Sequence, residues 1–400
     1  MELLAPAGDL NKLKYAFAYG AQAVYCGVPD FSLRGGRVNK FTRADVKKGI
    51  KYAHALKKKV YVTLNIYPHN QKFDQFKRYL PRVIELGPDA IIASDPGIIA
   101  QIRKKYPRQA IHLSTQANAL NYGAIEFWKK QGISRVILAR ETTLKQAARI
   151  KQRVPNIELE YFCHGAMCLA YSGRCLLSAW FNSRSANQGE CSQPCRWPWK
   201  EKARRKRSLY LEEDENGTYI FNSKDLCLIE YLDQLEKTKI NGLKIEGRNK
   251  SLYYITTVVK YYAQALKARG KARKKIQIKA LKEFSKLGNR QYTTGFAFGA
   301  DPRIQNFSCS RNQSRYKMVG ELIKVQDKKN NLFEVRVHNA IKSGSFIQAL
   351  SPDNQKKVKV EKIFNHKKIS QKSAHGGTDK MWYIKFNKPL DQWTIFQSRG

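Results

Sequence analysis

Four cysteines in the middle of the chain have the spacing of a possible metal or cluster site. Segment 163–175 reads CHGAMCLAYSGRC and segment 190–197 reads ECSQPCRW. The spacing C-x6-C-x15-C-x3-C joins Cys168, Cys175, Cys191 and Cys195. Zinc sites usually present C-x2-C pairs, which are absent here, whereas iron–sulfur clusters accept thiolates from irregular loops. The pattern favours an iron–sulfur cluster over zinc. A buried thiol remains the alternative for any single cysteine, above all for Cys26 and Cys309.

A strongly basic composition indicates a polyanionic partner. The 400 residues hold 74 Lys and Arg against 32 Asp and Glu, a formal net charge of +42. Such a balance favours nucleic acid ahead of a membrane surface, and a generally lysine-rich surface is the alternative. The densest run, KEKARRKR at 200–207, directly follows the cysteines. Within it we expect four side chains to contact RNA phosphates: Arg204, Arg205, Lys206 and Arg207.

Alternating strands and helices predict the scaffold that positions these residues. Eight short apolar runs, from ELLAPAG at 2–8 to GLKIEGR at 242–248, are separated mostly by amphipathic segments. This alternation predicts a parallel sheet, and eight strands within about 250 residues is typical of a (β/α)₈ TIM-like barrel. A doubly wound open sheet is the rival fold, but no glycine-rich phosphate loop follows the first strand.

The chain divides into three predicted parts. The barrel should span 1–270, with a Cys-rich and basic insertion at 166–241 after strand 7, over the barrel mouth. A basic connector should occupy 271–315. Short alternating strands at 316–400 predict a small antiparallel β-barrel or sandwich. We find no export signal and no apolar run of about 18 residues, and therefore expect a cytoplasmic protein without membrane contact. Disulfides are then improbable.

Long motifs resemble the peptidase U32 family. They are FCHGAMCLAYSGRCLLS, NQGECSQPCRW, NSKDLCLIEYLDQL and GLKIEGRNKSLYY, with MELLAPAG and FSLRGGRVNKF in support. The resemblance covers residues 1–270 and is greatest to the branch that hydroxylates tRNA. It implies a [4Fe–4S] cluster and oxygen-independent hydroxylation of the wobble uridine, position 34, to 5-hydroxyuridine. Prephenate is the implied metabolite. Cys195 is the expected fourth ligand, with Cys227 and Cys163 as alternatives.

The ends of the predicted strands supply further candidates for the pocket. Six side chains lie there: Asn65, Gln116, Arg140, His164, Glu246 and Arg248. With Arg34 and Arg37, which follow strand 2, Arg140 and Arg248 are expected to bind the dicarboxylate, since guanidinium groups match carboxylates. Ion pairs of these arginines with Glu141 and Glu246 are the alternative.

His164 and Glu246 are the catalytic candidates. His164 would shuttle a proton or orient the cysteine loop through a hydrogen bond. Glu160, on strand 7, is expected to face the barrel interior in an ion pair instead of acting as a base.

Three other functions remain open. Ribosomal RNA cytidine hydroxylation is the rival within the family, and a non-catalytic RNA-binding protein with a structural cluster is another. A peptidase is disfavoured, because the sequence has neither HExxH nor GxSxG and because strand neighbours Cys163 and His164 should point to opposite faces. The oxygen donor, and any partner protein that supplies oxygen or electrons, cannot be named from the sequence.

Overall fold

The computed structural model describes most of the chain. The described residues are 1–29, 31–32, 41–168, 177–182, 212–214, 217–219, 223–299, 314, 316–377 and 381–399. The predicted ligands Cys175, Cys191 and Cys195 lie outside them, as do Arg34, Arg37 and the basic run 204–207. In the described part, no helix combines the length and the apolar character needed to cross a bilayer.

Eight parallel strands close into a barrel, as the sequence predicts. They are β1 (Glu2–Pro6), β2 (Ala23–Gly27), β3 (Lys59–Leu64), β4 (Ala90–Ala93), β5 (Ile111–Leu113), β6 (Arg135–Ile137), β7 (Glu158–Ala166) and β11 (Gly242–Ile245). Closure comes from β11, which pairs in parallel with both β7 and β1, so that Gly242 lies between Glu160 and Glu2. The predicted (β/α)₈ fold is therefore confirmed.

Helices cover the outside of the barrel. They are α1 (Leu10–Ala18), α2 (Arg43–Ala55), α3 (Asn70–Ile84), α4 (Pro96–Lys105), α5 (Tyr122–Lys130), α6 (Leu144–Arg153), α8 (Leu232–Lys237) and α9 (Leu252–Lys267). Capping side chains define the N-terminus of several of these helices. In α2, Thr42 and Asp45 form a reciprocal capping box, and Thr143 and Gln146 do the same for α6.

The long interval between β7 and β11 holds the insertion predicted after strand 7. Its described elements are α7 (Leu177–Asn182), the hairpin β8 (Glu212–Asp214) and β9 (Gly217–Tyr219), and β10 (Asp225–Cys227). Strand β10 runs antiparallel to β7 and extends the sheet to β12 (Tyr292–Thr293). After α9, the basic segment contains α10 (Gly270–Phe284), which packs on α9.

The C-terminal region forms a second, antiparallel barrel, as predicted. Its strands are β13 (Tyr316–Asp327), β14 (Leu332–Val337), β15 (Ile341–Lys342), β16 (Phe346–Leu350), β17 (Gln355–Phe364), β18 (Ser370–Gln371), β19 (Ser373–Ala374), β20 (Trp382–Phe386) and β21 (Ile395–Arg399). Six of them close in the order β16-β21-β13-β14-β20-β17, with β16 pairing back to β17. The interior is a separate apolar cluster that includes Phe333, Phe386 and Phe396.

Hydrogen bonds join the C-terminal barrel to α1 and α9. The Tyr19 hydroxyl donates to the carbonyl oxygens of Leu350 and Trp393, at 2.7 and 2.9 Å. From α9, the Lys260 ammonium donates to the Ser351 carbonyl at 2.6 Å. Burial lowers the pKa of Lys260 to about 8. The two barrels thus meet through specific polar contacts.

A buried ion network fills the N-terminal end of the large barrel. Glu160 is fully buried, and its carboxylate lies 2.9 Å from the Lys244 ammonium and 3.2 Å from the Arg135 guanidinium. Arg135 also contacts Glu2 and Glu158. Burial lowers the pKa of Lys244, and Glu160 offsets part of this effect. The expected ion pair of Glu160 inside the barrel is confirmed.

Replacing this carboxylate should destabilise the barrel strongly. Glu160→Gln would leave two buried cations without their shared counter-charge, and we expect a loss of about 3–5 kcal/mol in the free energy of unfolding. Glu158→Gln is the matched control, because the Glu158 side chain is 49% exposed and its ion pair should contribute less than about 1 kcal/mol. Urea unfolding of both variants measures the difference. Equal losses would contradict a central role for Glu160.

Candidate active site at the barrel mouth

The C-terminal ends of the strands bring several predicted residues together. Asn65 follows β3, Gln116 follows β5, and both are buried. The Asn65 amide donates to the Gln116 side-chain oxygen at 2.9 Å. The Tyr67 hydroxyl donates to the Gln116 carbonyl at 2.9 Å. These bonds fix two amide side chains at the mouth, where they can present donors and acceptors to a base or a small acid.

Arg248 occupies another part of the mouth. Its guanidinium donates to the hydroxyls of Ser32 at 2.9 Å and Thr63 at 3.2 Å, and it lies 5.8 Å from the centroid of the Tyr25 ring. Ser32 and Thr63 were not predicted. Thr63 could have been predicted from the sequence. It is on β3, two residues before Asn65, and residues two apart along an extended strand face the same side. Ser32 is 216 residues from Arg248 and gives no such signal.

Arg140 lies after β6, over an aromatic ring. Its guanidinium carbon is 4.1 Å from the centroid of the Phe162 ring, and Arg140 takes part in no ion pair among the residues that the structure describes. The predicted alternative, an ion pair with Glu141 or Glu246, is therefore not observed for Arg140. A guanidinium stacked on one face keeps its in-plane N–H groups available for a carboxylate or phosphate.

His164 turns away from the mouth. The pairing of β7 with β11 is irregular between Lys244 and Ile245, and His164 packs among four aromatic rings. They belong to Tyr254, Tyr262, Phe284 and Tyr292, at centroid distances of 4.8 to 5.8 Å. Neither ring nitrogen has a hydrogen-bond partner in the described part of the chain, and burial lowers the pKa of His164 to about 3. The neutral ring packs here like an apolar aromatic, and its catalytic role stays a prediction.

Glu246 and Gly165 show how tightly β7 and β11 approach at the mouth. A Cβ atom on Gly165 would lie 2.4 Å from the Glu246 carbonyl oxygen, and the φ of Gly165 is +110°. Both the contact and the backbone angle require glycine. The Tyr254 hydroxyl donates to the same carbonyl at 2.8 Å. Glu246 itself is buried at the mouth, and its proposed catalytic role remains untested.

The cysteines differ in their surroundings. Cys168, two residues beyond β7, is exposed, whereas Cys26, Cys163 and Cys227 are buried free thiols. Burial raises the pKa of Cys163 well above its usual range and that of Cys227 to about 12. Cys168 is thus the accessible member of this set and lies just past the mouth. Among the described residues, no three Cys, His, Asp or Glu side chains form a metal-binding group.

Cys168 is the one predicted cluster ligand that lies within the described residues. Thiolates are the ligands that such clusters use, and an exposed thiol at the mouth fits that use better than a buried one. Of the two alternative fourth ligands, the Cys163 thiol contacts the Lys244 carbonyl oxygen at 3.5 Å inside the protein. Cys227, the other alternative, is also buried, and Cys195, the expected fourth ligand, lies outside the described residues, so the choice of fourth ligand stays a prediction.

The aromatic surroundings of His164 predict an acid-sensitive stability. The unfolded state binds a proton near pH 6.5 and the folded state only near pH 3, so stability falls as the pH drops below 6.5. Between pH 7 and pH 5, wild type should lose about 2 kcal/mol more than His164→Phe. Urea unfolding at both pH values tests this. His366→Gln, at an exposed position, should behave as wild type, and an unchanged pH dependence in His164→Phe would contradict the expectation.

Comparison with known proteins assigns the family. The family model "Peptidase family U32" matches residues 8–306. The chain is 39% identical to the tRNA hydroxylation protein P of Haemophilus influenzae, covering 98% of this chain and 94% of that protein. It is 38% identical to the Escherichia coli protein of the same name, and that alignment covers 95% of this chain and 93% of that protein. The Escherichia coli 23S rRNA 5-hydroxycytidine C2501 synthase is 34% identical over 67% of this chain and 39% of that protein. The chain therefore belongs to the peptidase U32 family.

Proposed function

We propose that this protein is an RNA-modifying hydroxylase that converts the wobble uridine, position 34 of tRNA, to 5-hydroxyuridine. The observation that carries the proposal is similarity along nearly the whole chain to proteins named for tRNA hydroxylation. The net charge of +42 supports a polyanionic substrate. A tRNA substrate would place the protein in the cytoplasm.

Hydroxylation of ribosomal RNA is the second candidate. The ribosomal RNA synthase shares 34% identity, but the alignment covers only 39% of that enzyme. The Haemophilus influenzae and Escherichia coli tRNA hydroxylation proteins instead align over 94% and 93% of their length. This difference favours tRNA as the substrate.

Proteolysis fits the described residues poorly, despite the family name. A cysteine peptidase needs a thiolate beside a histidine that can take its proton. Here burial raises the pKa of Cys163 and lowers the pKa of His164 to about 3. Both groups are then neutral at pH 7, and neither is exposed to a peptide.

The proposed cofactor is a [4Fe–4S] cluster held by Cys168, Cys175, Cys191 and Cys195. When bound, it would supply one-electron chemistry that the protein's own side chains cannot. The described residues would bind and orient the substrate. Asn65 and Gln116 offer amide groups to the edge of a base that has been turned out of the anticodon loop. Arg140 and Arg248, with Arg34 and Arg37, would bind the dicarboxylate, and residues 204–207 would bind RNA phosphates.

Removal of one proposed ligand should abolish the cluster and the modification together. Anaerobically purified wild type should contain about four irons and four sulfides, and Cys191→Ala should lose most of both. Cys26→Ala is the control, because Cys26 is buried in β2 outside the proposed set. Expressed in cells without their own tRNA hydroxylase, wild type and Cys26→Ala should restore 5-hydroxyuridine in tRNA, and Cys191→Ala should not.

The outcomes separate the alternatives. Zinc or no metal in wild type would overturn the cluster. Full modification by an iron-free Cys191→Ala protein would make the cluster structural. A hydroxycytidine in ribosomal RNA, with unchanged tRNA, would move the function to the second candidate.

The arginine pocket predicts binding of prephenate, the metabolite implied by the family. In calorimetric titration, Arg140→Ala should weaken prephenate binding by about 10- to 100-fold, because a charged hydrogen bond to the carboxylate contributes about 1.5–3 kcal/mol. Arg153→Ala is the control, since Arg153 is exposed in the last turn of α6 and belongs to no proposed site. Equal affinity in all three proteins would rule out Arg140 as a ligand of prephenate.

A further inference from the structure

A cleft with several charged side chains lies between the large barrel and the C-terminal barrel. It has a volume of about 840 Å³. The wall from the large barrel includes Asn11, Lys12, Asn249 and Lys250, and the wall from the C-terminal barrel includes Lys317, Arg336, His338 and Asn339. None of these residues has a role in the site at the mouth. The cleft therefore requires its own explanation.

The charges of the cleft suit an anion. Its lining has four Lys and Arg side chains against two carboxylates, Asp9 and Glu321, and both carboxylates are already engaged. Asp9 caps α1 and lies 3.3 Å from the Lys12 ammonium. Glu321 accepts hydrogen bonds from Asn11 and Arg336, each at 2.9 Å. Lys250 lies 3.9 Å from the Asp225 carboxylate, so the positive charge that remains after these ion pairs is that of Lys317.

Two side chains in the cleft offer unused donors. Lys317 is exposed and forms no ion pair within the described ranges. Tyr253 is only 5% exposed, yet its hydroxyl has no hydrogen-bond partner among the described residues. A buried hydroxyl without a partner is rare in folded proteins, but the Tyr253 oxygen is itself buried, so Lys317 is the donor of the two that a ligand can reach directly.

The lining of the cleft begins one residue after a side chain of the barrel mouth. Asn249 and Lys250 directly follow Arg248, whose side chain lies in the mouth. The first helix begins beside them, since a Cβ atom on Gly8 would lie 2.4 Å from the Arg248 carbonyl oxygen. The backbone of an RNA that places one base in the mouth can therefore reach the edge of the cleft.

We infer that this cleft binds the phosphodiester backbone that flanks the reacting nucleotide. Lys12 and Lys317, from opposite walls, would contact phosphates, and the asparagine amides would contact phosphate or ribose oxygens. The bond between Asn11 and Glu321 and those of Tyr19 hold the two walls together, so the cleft exists before RNA arrives. The inference rests on the proposed function, because it takes RNA as the substrate.

A double neutralisation tests the cleft. Lys12→Gln/Lys317→Gln should weaken binding of an unmodified tRNA about tenfold at moderate salt. The slope of log affinity against log salt should become shallower by about 2, since two phosphate contacts are lost. The matched control is Lys104→Gln/Lys105→Gln, two exposed lysines in the last turn of α4, at the other end of the barrel. Fluorescence anisotropy over a salt series measures binding, and a melting curve for each protein verifies folding.

Each outcome decides the inference. A selective loss in the cleft variant, with the control unchanged, supports it. If wild type binds tRNA and the cleft variant binds equally well, the inference fails while the proposed function stands. If the cleft and control variants lose tRNA affinity equally, the effect is one of overall charge and the inference is overturned. If wild type does not bind tRNA, the proposed function itself fails.

If the cleft variant loses only binding of inorganic pyrophosphate, the cleft is a small-anion site and the inference is overturned. Lys317→Gln alone, at an exposed position, repeats the test if the double variant does not fold.

Discussion

The pairing of β7 with β11 is the constraint on which the site depends. It closes the barrel, and its hydrogen bonds continue to the mouth, where the Glu246 N–H donates to the His164 carbonyl at 2.8 Å. Along β7, Glu160 anchors the buried ion network, Phe162 supports Arg140, and the chain leaves the barrel at Cys168. Strand β7 therefore connects the ion network at the N-terminal end of the barrel to the candidate site at the mouth.

Barrel closure also explains why the binding groups can be polar and still ordered. Asn65, Gln116 and Arg248 each hydrogen-bond to another side chain or backbone group from a different strand end. Parallel strands in a closed barrel converge at one face, so these partners are held by the main chain and need little ordering when a substrate binds. The C-terminal barrel continues this arrangement outward, because polar bonds fix it to α1 and α9.

The sequence predicts the features that depend on local periodicity and misses those that depend on distant contacts. The eight strands, the insertion after β7 and the antiparallel C-terminal strands are indicated by alternating apolar residues, and the ion pair of Glu160 is indicated by a charge inside an apolar strand. The direction of the His164 side chain cannot be predicted in this way. The pairing of β7 with β11 is irregular at this point, and the rings around His164 come from α9, α10 and β12. Ser32 and the interdomain cleft likewise arise from pairs more than 200 residues apart.

Among the described residues, each barrel strand pairs with its two neighbours in the closed sheet, and β7 has one further pairing with β10. No barrel strand comes from the segment that holds Cys168, Cys175, Cys191 and Cys195. The described core of the barrel contains no residue from that segment. A preparation without the proposed cluster should then still be monodisperse, give normal circular dichroism and melt cooperatively. Measurements of folding alone would not detect the loss of the cluster. The iron content must therefore be measured before a lack of activity is interpreted.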